Sequence, residues 1–532
     1  MSTSSAEDTT PEATATGKGN TQDSRAAFRG TFVTFGLRLI SFGCTQVTLR
    51  FLDPTALGRA SIQLELLLTT VLFFSREGFR LALTRNLAAE TWNVAWLTIP
   101  LVTLVAGLAL VWHLSRTLYS GPADEVDYDY VMAGALYCMA SWIEGCAEPA
   151  VLHFLRRMDT PKRSSAEALG TMVKAVATVV GLQYLGPTSV TAFGLSQLLY
   201  SLTYAVYLYW NAWNTLPMPN RSFDGPTCSR AFKFTLQGVF KHLLTEADKI
   251  VLTTLSDSYN QGVYAMGSSY GGLAARILLQ PLEENARLLL SRLAMRKAVA
   301  EMEQSFAIFV KLVLYIGLLF SFVAVNYTNL LLCLLAGRKW GSNEEAANVL
   351  SAFCVYTAFL AANGMTEAFV YGVTRAGMME VGLSHTVTGI TLAVLAPWAT
   401  TKGAAVGLVA VNCLAMLIRS CFSLYLASKY FGEKESKPPG VVLRRLIRNM
   451  SPHPVVISSY GLSWAITRYT LGKIKERGFH TALQIRNREW LLLTGQHLVA
   501  GVFCVVVILG LAVTMDRQFI RSFRLMIRQK ND

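Results

Sequence analysis

Apolar runs close to twenty residues long recur along this chain, and they constrain its fold more than any other feature. One of them, from Trp490 to Val513, contains no charged side chain. Wound as a helix at about 1.5 Å per residue, such a run matches the ~30 Å hydrocarbon core of a bilayer. The balance of residue types agrees. Of 532 residues, 52% are hydrophobic and only 15% are charged, against about 25% charged in a soluble domain. The pattern predicts an all-α polytopic membrane protein with about fourteen transmembrane helices. The first six are expected at 29–51, 62–84, 94–114, 129–153, 166–186 and 190–211. Six more are expected at 230–255, 263–290, 303–325, 346–373, 379–399 and 404–428, and a last pair at 453–470 and 489–514.

These runs divide the chain. Residues 1–28 are rich in Ser, Thr, Ala, Gly and acidic side chains, a composition that predicts a disordered N-terminus. They lack the apolar centre of a signal peptide, so the first helix is expected to serve as an uncleaved signal. An N-lobe (29–211) and a C-lobe (230–430) follow. After them come a basic loop (431–452), a helix pair (453–514) and a basic tail (515–532).

The net charge of +14 is unevenly placed. Arg156, Arg157, Lys162 and Arg163 follow the fourth helix, and Arg292, Arg296 and Lys297 follow the eighth. Lys429, Lys434, Lys437, Arg444, Arg445 and Arg448 follow the twelfth, and Arg517, Arg521, Arg524, Arg528 and Lys530 fill the tail. The opposite connections are acidic or bare, such as Asp124 to Asp129 and the Gly186-Pro187 turn. By the positive-inside rule both termini are cytoplasmic. The 471–488 loop departs from this pattern with Lys473, Lys475, Arg477, Arg486 and Arg488: either the last two helices lie elsewhere than expected, or this is a basic surface at the lipid head groups. No interleaving of aromatic and basic residues points to nucleic acid. Nine cysteines, without Cys-x-x-Cys or His-Glu-x-x-His, predict neither a disulfide framework nor a metal site, and no cofactor motif is present. Glycosylation sequons stand at Asn220, Asn326 and Asn449, the first and last on the cytoplasmic side of this topology and Asn326 too close to the far membrane face for modification.

Charged residues within apolar helices are costly and mark function or pairing. Arg76 and Arg80 lie four apart and share a helix face, with Glu77 beside them. Arg38, Gln46 and Arg50 lie on the first helix, Glu144 and Glu148 on the fourth, followed by Pro149, which can kink or end it. Lys241, His242, Glu246, Asp248 and Lys249 crowd the seventh helix. Arg276, Gln280, Glu283 and Arg287 form one stripe on the eighth, flanked by Glu284 and kinked at Pro281. Asn363 and Glu367 sit on the tenth helix, Asn412 and Arg419 on the twelfth. Each alone is equally well read as an intrahelical pair or a snorkelling side chain. Together they suggest a shared wet cavity between two bundles, and the arginines suggest an anionic, phosphate-bearing ligand, because a guanidinium fork binds oxygens bidentately.

Several segments resemble the Rft family of endoplasmic-reticulum membrane proteins. They are Phe35-Gly-Leu-Arg38, Leu49-Arg-Phe-Leu52, Phe74-Ser-Arg-Glu-Gly-Phe-Arg80 and Lys241-His-Leu-Leu-Thr-Glu246. In the same order follow Gln261-Gly-Val-Tyr264, Arg276 to Glu284, Asn363 to Phe369 and Asn412 to Arg419. The resemblance spans most of 29–430, and it is weak in the head and beyond 430. It places the chain in the wider superfamily of multidrug extruders and oligosaccharidyl-lipid flippases. It implies two six-helix lobes in a V around a central cavity, plus two C-terminal helices. It also implies a role in protein N-glycosylation: moving the dolichol-diphosphate-linked oligosaccharide from the cytosolic to the lumenal leaflet of the endoplasmic reticulum.

On this reading the cavity residues contacting diphosphate or sugar are Arg38, Arg76, Glu77, Arg80, Lys241, Glu246, Arg276, Gln280, Glu283, Glu284, Arg287, Glu367 and Arg419. Arg76 and Arg80 are expected to meet the diphosphate first, with Glu77 holding them. A non-transporting accessory or scaffold protein of the same pathway, in contact with its other membrane proteins, is the alternative. A membrane-embedded transferase lacks support, since no Asp-x-Asp-like pair with a basic partner lies in a cytosolic loop. A cation exporter would favour carboxylates without so many arginines. The chain is therefore expected to be a transporter and not an enzyme.

The topology has a direct test. Protease added to sealed microsomes should remove tags from both termini, whereas protection of one tag alone would require an odd number of spans.

Overall fold

The computed structural model describes residues 43–85, 89–119, 126–157, 159–219, 224–373, 378–478 and 487–528. The expected disorder of 1–28, Arg38, the start of the first helix and the Asn220 sequon lie outside the described residues, as do Asp124 and Glu125. The described residues form helices and no strand. Seven helical stretches among them are long and apolar enough to cross a membrane, from Pro54–Thr84 to Arg488–Met515. Fewer stretches qualify than the fourteen expected spans because the remaining helices are shorter, broken or more polar. Gly225–Thr245, for example, carries Arg230 and Lys233.

The chain divides into two compact units. One holds Met1–Thr48 and Leu67–Phe240, the other Leu49–Leu66 and Lys241–Asp532. This differs from the 29–211 and 230–430 division. Residues 49–66 pack with the second unit, the Gly225–Thr245 helix joins the first up to Phe240, and the last helices belong to the second.

In the first unit, Thr160–Leu185 and Thr191–Ala212 form a helical hairpin. It turns at Gly186, whose φ of +100° suits a residue without Cβ. The Asp129 carboxylate accepts hydrogen bonds from the Ser189 hydroxyl and the Thr191 backbone N–H, and so closes the start of the second arm. The expected 129–153 helix is two helices, Tyr128–Cys146 and Glu148–Arg156, because Pro149 begins a new helix after Ala147.

In the second unit the Pro54–Gly58 and Ser258–Ala274 helices cross at glycine contacts. A Cβ on Gly58 would stand 2.0 Å from the Ser258 carbonyl oxygen, and one on Gly262 1.8 Å from that of Pro54. Arg50 caps a helix end. Its Nε and Nη2 donate to the carbonyls of Leu335 and Leu334 at 3.2 and 2.9 Å, at the negative end of Thr328–Leu335. The fully buried Trp340 donates to the Leu49 carbonyl at 2.8 Å. The core lies around Phe306, Phe369 and Phe431, with ring centroids 4.6 and 5.1 Å apart.

Proline and glycine shape two of the long helices. Pro281 has no N–H to donate, and the ladder just before it widens into a π turn over Ala275–Leu279. Helix 378–435 breaks at Gly403 and Ala404, which separates the two spans expected at 379–399 and 404–428.

Two basic segments expected as loop and tail are helices. In Pro439–Met450, Val442, Leu446 and Met450 are buried in the core at a four-residue spacing, while Arg444 and Arg448 face out. Arg517–Arg528 packs Phe519 against Tyr315 of Val299–Phe322. Between the last two helices, Asp516 gathers three partners: Lys311 Nζ at 2.8 Å, the Tyr315 hydroxyl at 2.5 Å and the His453 N–H at 3.3 Å. Burial works against its charge, yet these bonds outweigh it and hold the Asp516 carboxyl below its ordinary value. In the loop expected over 471–488, Lys473 and Lys475 lie on the last turns of Pro454–Glu476, and 479–486 are outside the described residues.

Of the sequons, Asn326 is buried. Its amide donates to Thr467 Oγ1 at 2.8 Å and to the Trp464 carbonyl at 3.3 Å. Asn449 is exposed on Pro439–Met450.

The glycine crossing makes a prediction. Gly262→Leu should lower stability by about 1–3 kcal/mol, the usual cost of overpacking, read as a drop in the thermal aggregation temperature of the purified protein. Gly461→Leu, at a position with open space around it, should leave that temperature unchanged.

Candidate functional site

A guanidinium among apolar helices needs an acceptor, and in the first unit two helices supply a matched set. Glu65–Arg85 presents Arg76 and Arg80 one turn apart. Facing them, Glu144 ends Tyr128–Cys146 and Glu148 starts Glu148–Arg156, also one turn apart. Arg76 Nη1 meets Glu144 Oε1 at 2.8 Å. Arg80 grips Glu148 with both edges of its fork, Nε to Oε1 at 2.5 Å and Nη2 to Oε2 at 2.7 Å. Glu148 is fully buried, and the Arg80 side chain is 19% exposed. Tyr200 and Tyr204 stack 5.9 Å apart and lie in the field of this two-rung ladder.

This geometry corrects an expectation. The carboxylates holding Arg76 and Arg80 are Glu144 and Glu148, not Glu77, which makes no hydrogen bond or ion pair among the described residues. Neither arginine snorkels. Arg80 is engaged through two nitrogens of its fork and Arg76 through one, so this cluster first of all joins helices. The signal was in the sequence as two four-residue intervals of opposite sign on the second and fourth helices.

The second unit carries the rest of the set. Arg276, Gln280 and Arg287 are exposed along one face of 275–295, whereas Leu279, Ala286, Leu290 and Leu293 on the other face are buried. The expected stripe is therefore turned away from the unit's own core. Glu283 pairs with Arg287 at 2.9 Å, and the side chain of Arg287 is 44% exposed. Glu283 also lies against Gly364 of Glu344–Val373, where an added Cβ would stand 2.9 Å from its Oε2. One turn on, Glu367 accepts from Arg419 Nε at 2.8 Å and Nη2 at 2.6 Å. Tyr371 lies in the field of Glu283, Arg287, Glu367 and Arg419. These four predicted residues form one polar group.

Other predicted residues stand apart from it. Arg276 donates to the Gly272 carbonyl of its own helix at 3.1 Å. Gln280 donates to Glu284 at 3.4 Å on the exposed face. Glu246 pairs with Lys249 at 2.9 Å beside the break between Gly225–Thr245 and Ala247–Leu255. Asp248 accepts from the Tyr264 hydroxyl at 2.5 Å and from Asn412 Nδ2 at 2.7 Å, a buried knot joining three helices. The side chain of Lys241 is outside the described residues. The tyrosines at 200, 204, 264 and 371 were not expected. A tyrosine in an apolar run needs a partner for its hydroxyl, and that was the available signal.

The family model for the Rft protein matches residues 31–525. The chain belongs to the Rft family. Among Rft relatives, the mouse Man(5)GlcNAc(2)-PP-dolichol translocation protein RFT1 is 26% identical over 94% of this chain and 96% of its own length. The proteins of the same name from Schizosaccharomyces pombe and Yarrowia lipolytica are 27% and 29% identical, over 80% and 74% of this chain and 86% and 68% of their own lengths. In fold, this Rft chain is similar to the lipid II flippase MurJ in an inward closed conformation. That likeness has a TM-score of 0.61 at 10% identity and covers 93% of this chain and all of MurJ. An inward-facing multidrug resistance transporter of the MATE family has a TM-score of 0.56 at 13% identity, over 73% of this chain and 93% of its own. At these identities the likeness is one of fold: an all-α, multi-pass membrane architecture.

The ladder yields the next prediction. Removing one partner of a buried ion pair costs about 3–5 kcal/mol, so Arg80→Ala should reduce both protein abundance and melting temperature. The double swap Arg80→Glu with Glu148→Arg should recover part of that loss. Should Arg80→Ala protein keep normal abundance and melting temperature, the pair is not what holds these helices together.

Proposed function

We propose that this chain carries the dolichol-diphosphate-linked oligosaccharide from the cytosolic to the lumenal leaflet of the endoplasmic-reticulum membrane, for protein N-glycosylation. The observation that carries this reading is the match, nearly end to end, to relatives named as Man(5)GlcNAc(2)-PP-dolichol translocation proteins. The chemistry of its side chains supports it. A diphosphate needs cationic forks and a glycan needs a wet polar surface. The stripe of Arg276, Gln280, Glu283 and Arg287, with Glu367 and Arg419 beside it, supplies both on a face turned away from the core. Arg287 is the residue with the most to offer, since one carboxylate and much open space surround its fork. Both termini face the cytoplasm in this reading. The protein acts by moving a lipid rather than by breaking bonds, and other membrane proteins of the pathway are its partners.

The accessory reading draws on the ladder: Arg76 and Arg80 are each paired with a carboxylate of their own unit. Reconstitution separates the two. Liposomes holding the purified protein should render a fluorescent lipid-linked oligosaccharide, loaded in one leaflet, accessible from the other. Arg287→Ala at equal protein density should slow this about tenfold or more, the consequence of losing one charge-assisted bond of roughly 1.5–3 kcal/mol. No exchange above that of protein-free liposomes would leave the accessory role.

A further inference from the structure

The second unit has an open-sided cavity of about 750 Å³, apart from the stripe of Arg276 to Arg287. It lies among Val299–Phe322, Pro439–Met450 and the start of Arg517–Arg528. At about 30 Å³ per water it has room for on the order of twenty-five waters, more than a lone ion needs. Four cations line it: Lys311, Lys434, Arg445 and Arg448. Two of them are engaged. Lys311 binds Asp516 at 2.8 Å, and the Arg445 terminal nitrogens bind Glu303 at 2.7 Å and Glu435 at 2.6 Å. The other two are open. Lys434 meets only the Tyr430 ring, at 5.8 Å, and Arg448 makes no hydrogen bond or ion pair among the described residues. Arg445 Nε is shut off from solvent without an acceptor. The walls thus hold two uncommitted cations and one orphaned buried donor.

We propose that this cavity binds an anion bearing one or more phosphate groups, held by Lys434 and Arg448. Phosphate fits the donor set, since a guanidinium fork beside an ammonium point charge complements its oxygens. The volume admits a whole phosphorylated head group. Two sources share this chemistry: a phosphorylated lipid head group of the adjoining leaflet, and a soluble phosphate compound. Two of the walls, Pro439–Met450 and Arg517–Arg528, are basic amphipathic helices, and Val441 and Ile447 are exposed on Pro439–Met450, as suits a helix at a membrane surface. The proposal concerns binding alone and stands whether or not the protein transports.

The test uses the full chain in phosphatidylcholine nanodiscs and two probes, dioctanoyl phosphatidylinositol 4-phosphate and inorganic pyrophosphate, with binding followed by calorimetry. Saturable binding is expected, weakened about tenfold for each cation removed in Lys434→Gln with Arg448→Gln. Arg448→Glu, on an exposed face, serves as a second variant should the first be unstable. Arg468→Gln, a basic residue away from the cavity, should bind as the parent does. Binding of both probes assigns a phosphate group as sufficient, and binding of the lipid probe alone assigns the lipid source. Absence of saturable binding for both probes, or binding unchanged in both variants, overturns the proposal.

Discussion

Hydrocarbon offers a guanidinium no partner, and the cost of leaving one there ranges from about 2.5 to over 10 kcal/mol. The arrangement of this chain follows from that constraint. Four of its cations within helices are matched by carboxylates elsewhere in the chain: Arg76 with Glu144, Arg80 with Glu148, Arg419 with Glu367, Lys311 with Asp516. Such pairs add little net stability over well-packed apolar side chains, but an unpaired member is penalised heavily. Their effect is therefore on geometry. A helix that must bring two charges one turn apart onto two carboxylates one turn apart has one rotation and one axial position available.

The same constraint separates building from binding. Arg80 is buried with its whole fork engaged, whereas Arg287 keeps 44% of its side chain open beside a single carboxylate. The residues that join helices are those with matched partners. The residues proposed to meet a ligand are those on a helix face turned away from the core. In the second unit that face runs along 275–295, where a π turn precedes Pro281.

Most of the helices were legible, because length and hydropathy are local properties. The spans expected at 346–373 and 489–514 are the helices Glu344–Val373 and Arg488–Met515. Polar spacing was legible too, down to the intervals Arg76 to Arg80 and Glu144 to Glu148. Which stripe meets which was not, since pairing is decided by tertiary packing between helices some seventy residues apart. For that reason Glu77, the nearest carboxylate in sequence, was given a role that belongs to Glu144 and Glu148. The two amphipathic helices were missed because their arginines outweigh their apolar residues in any average. The four-residue spacing of Val442, Leu446 and Met450 holds the signal that the average hides.

Asn326 has a consequence for how the chain is handled by the machinery it is proposed to serve. Both defining positions of its acceptor motif, and the residue between them, are spent on packing. The Asn326 amide is committed to Thr467, Tyr327 stacks on His497 with centroids 4.1 Å apart, and Thr328 Oγ1 shares a hydrogen bond with Ser351. An oligosaccharyltransferase needs that amide free on an extended loop, so once this region has folded the motif is invisible to it. Any glycan here would have to be added before Pro454–Glu476 and Arg488–Met515 dock, and it would then stop them docking. An Asn326→Gln change made to ask about a sugar would instead report on the seating of those last two helices.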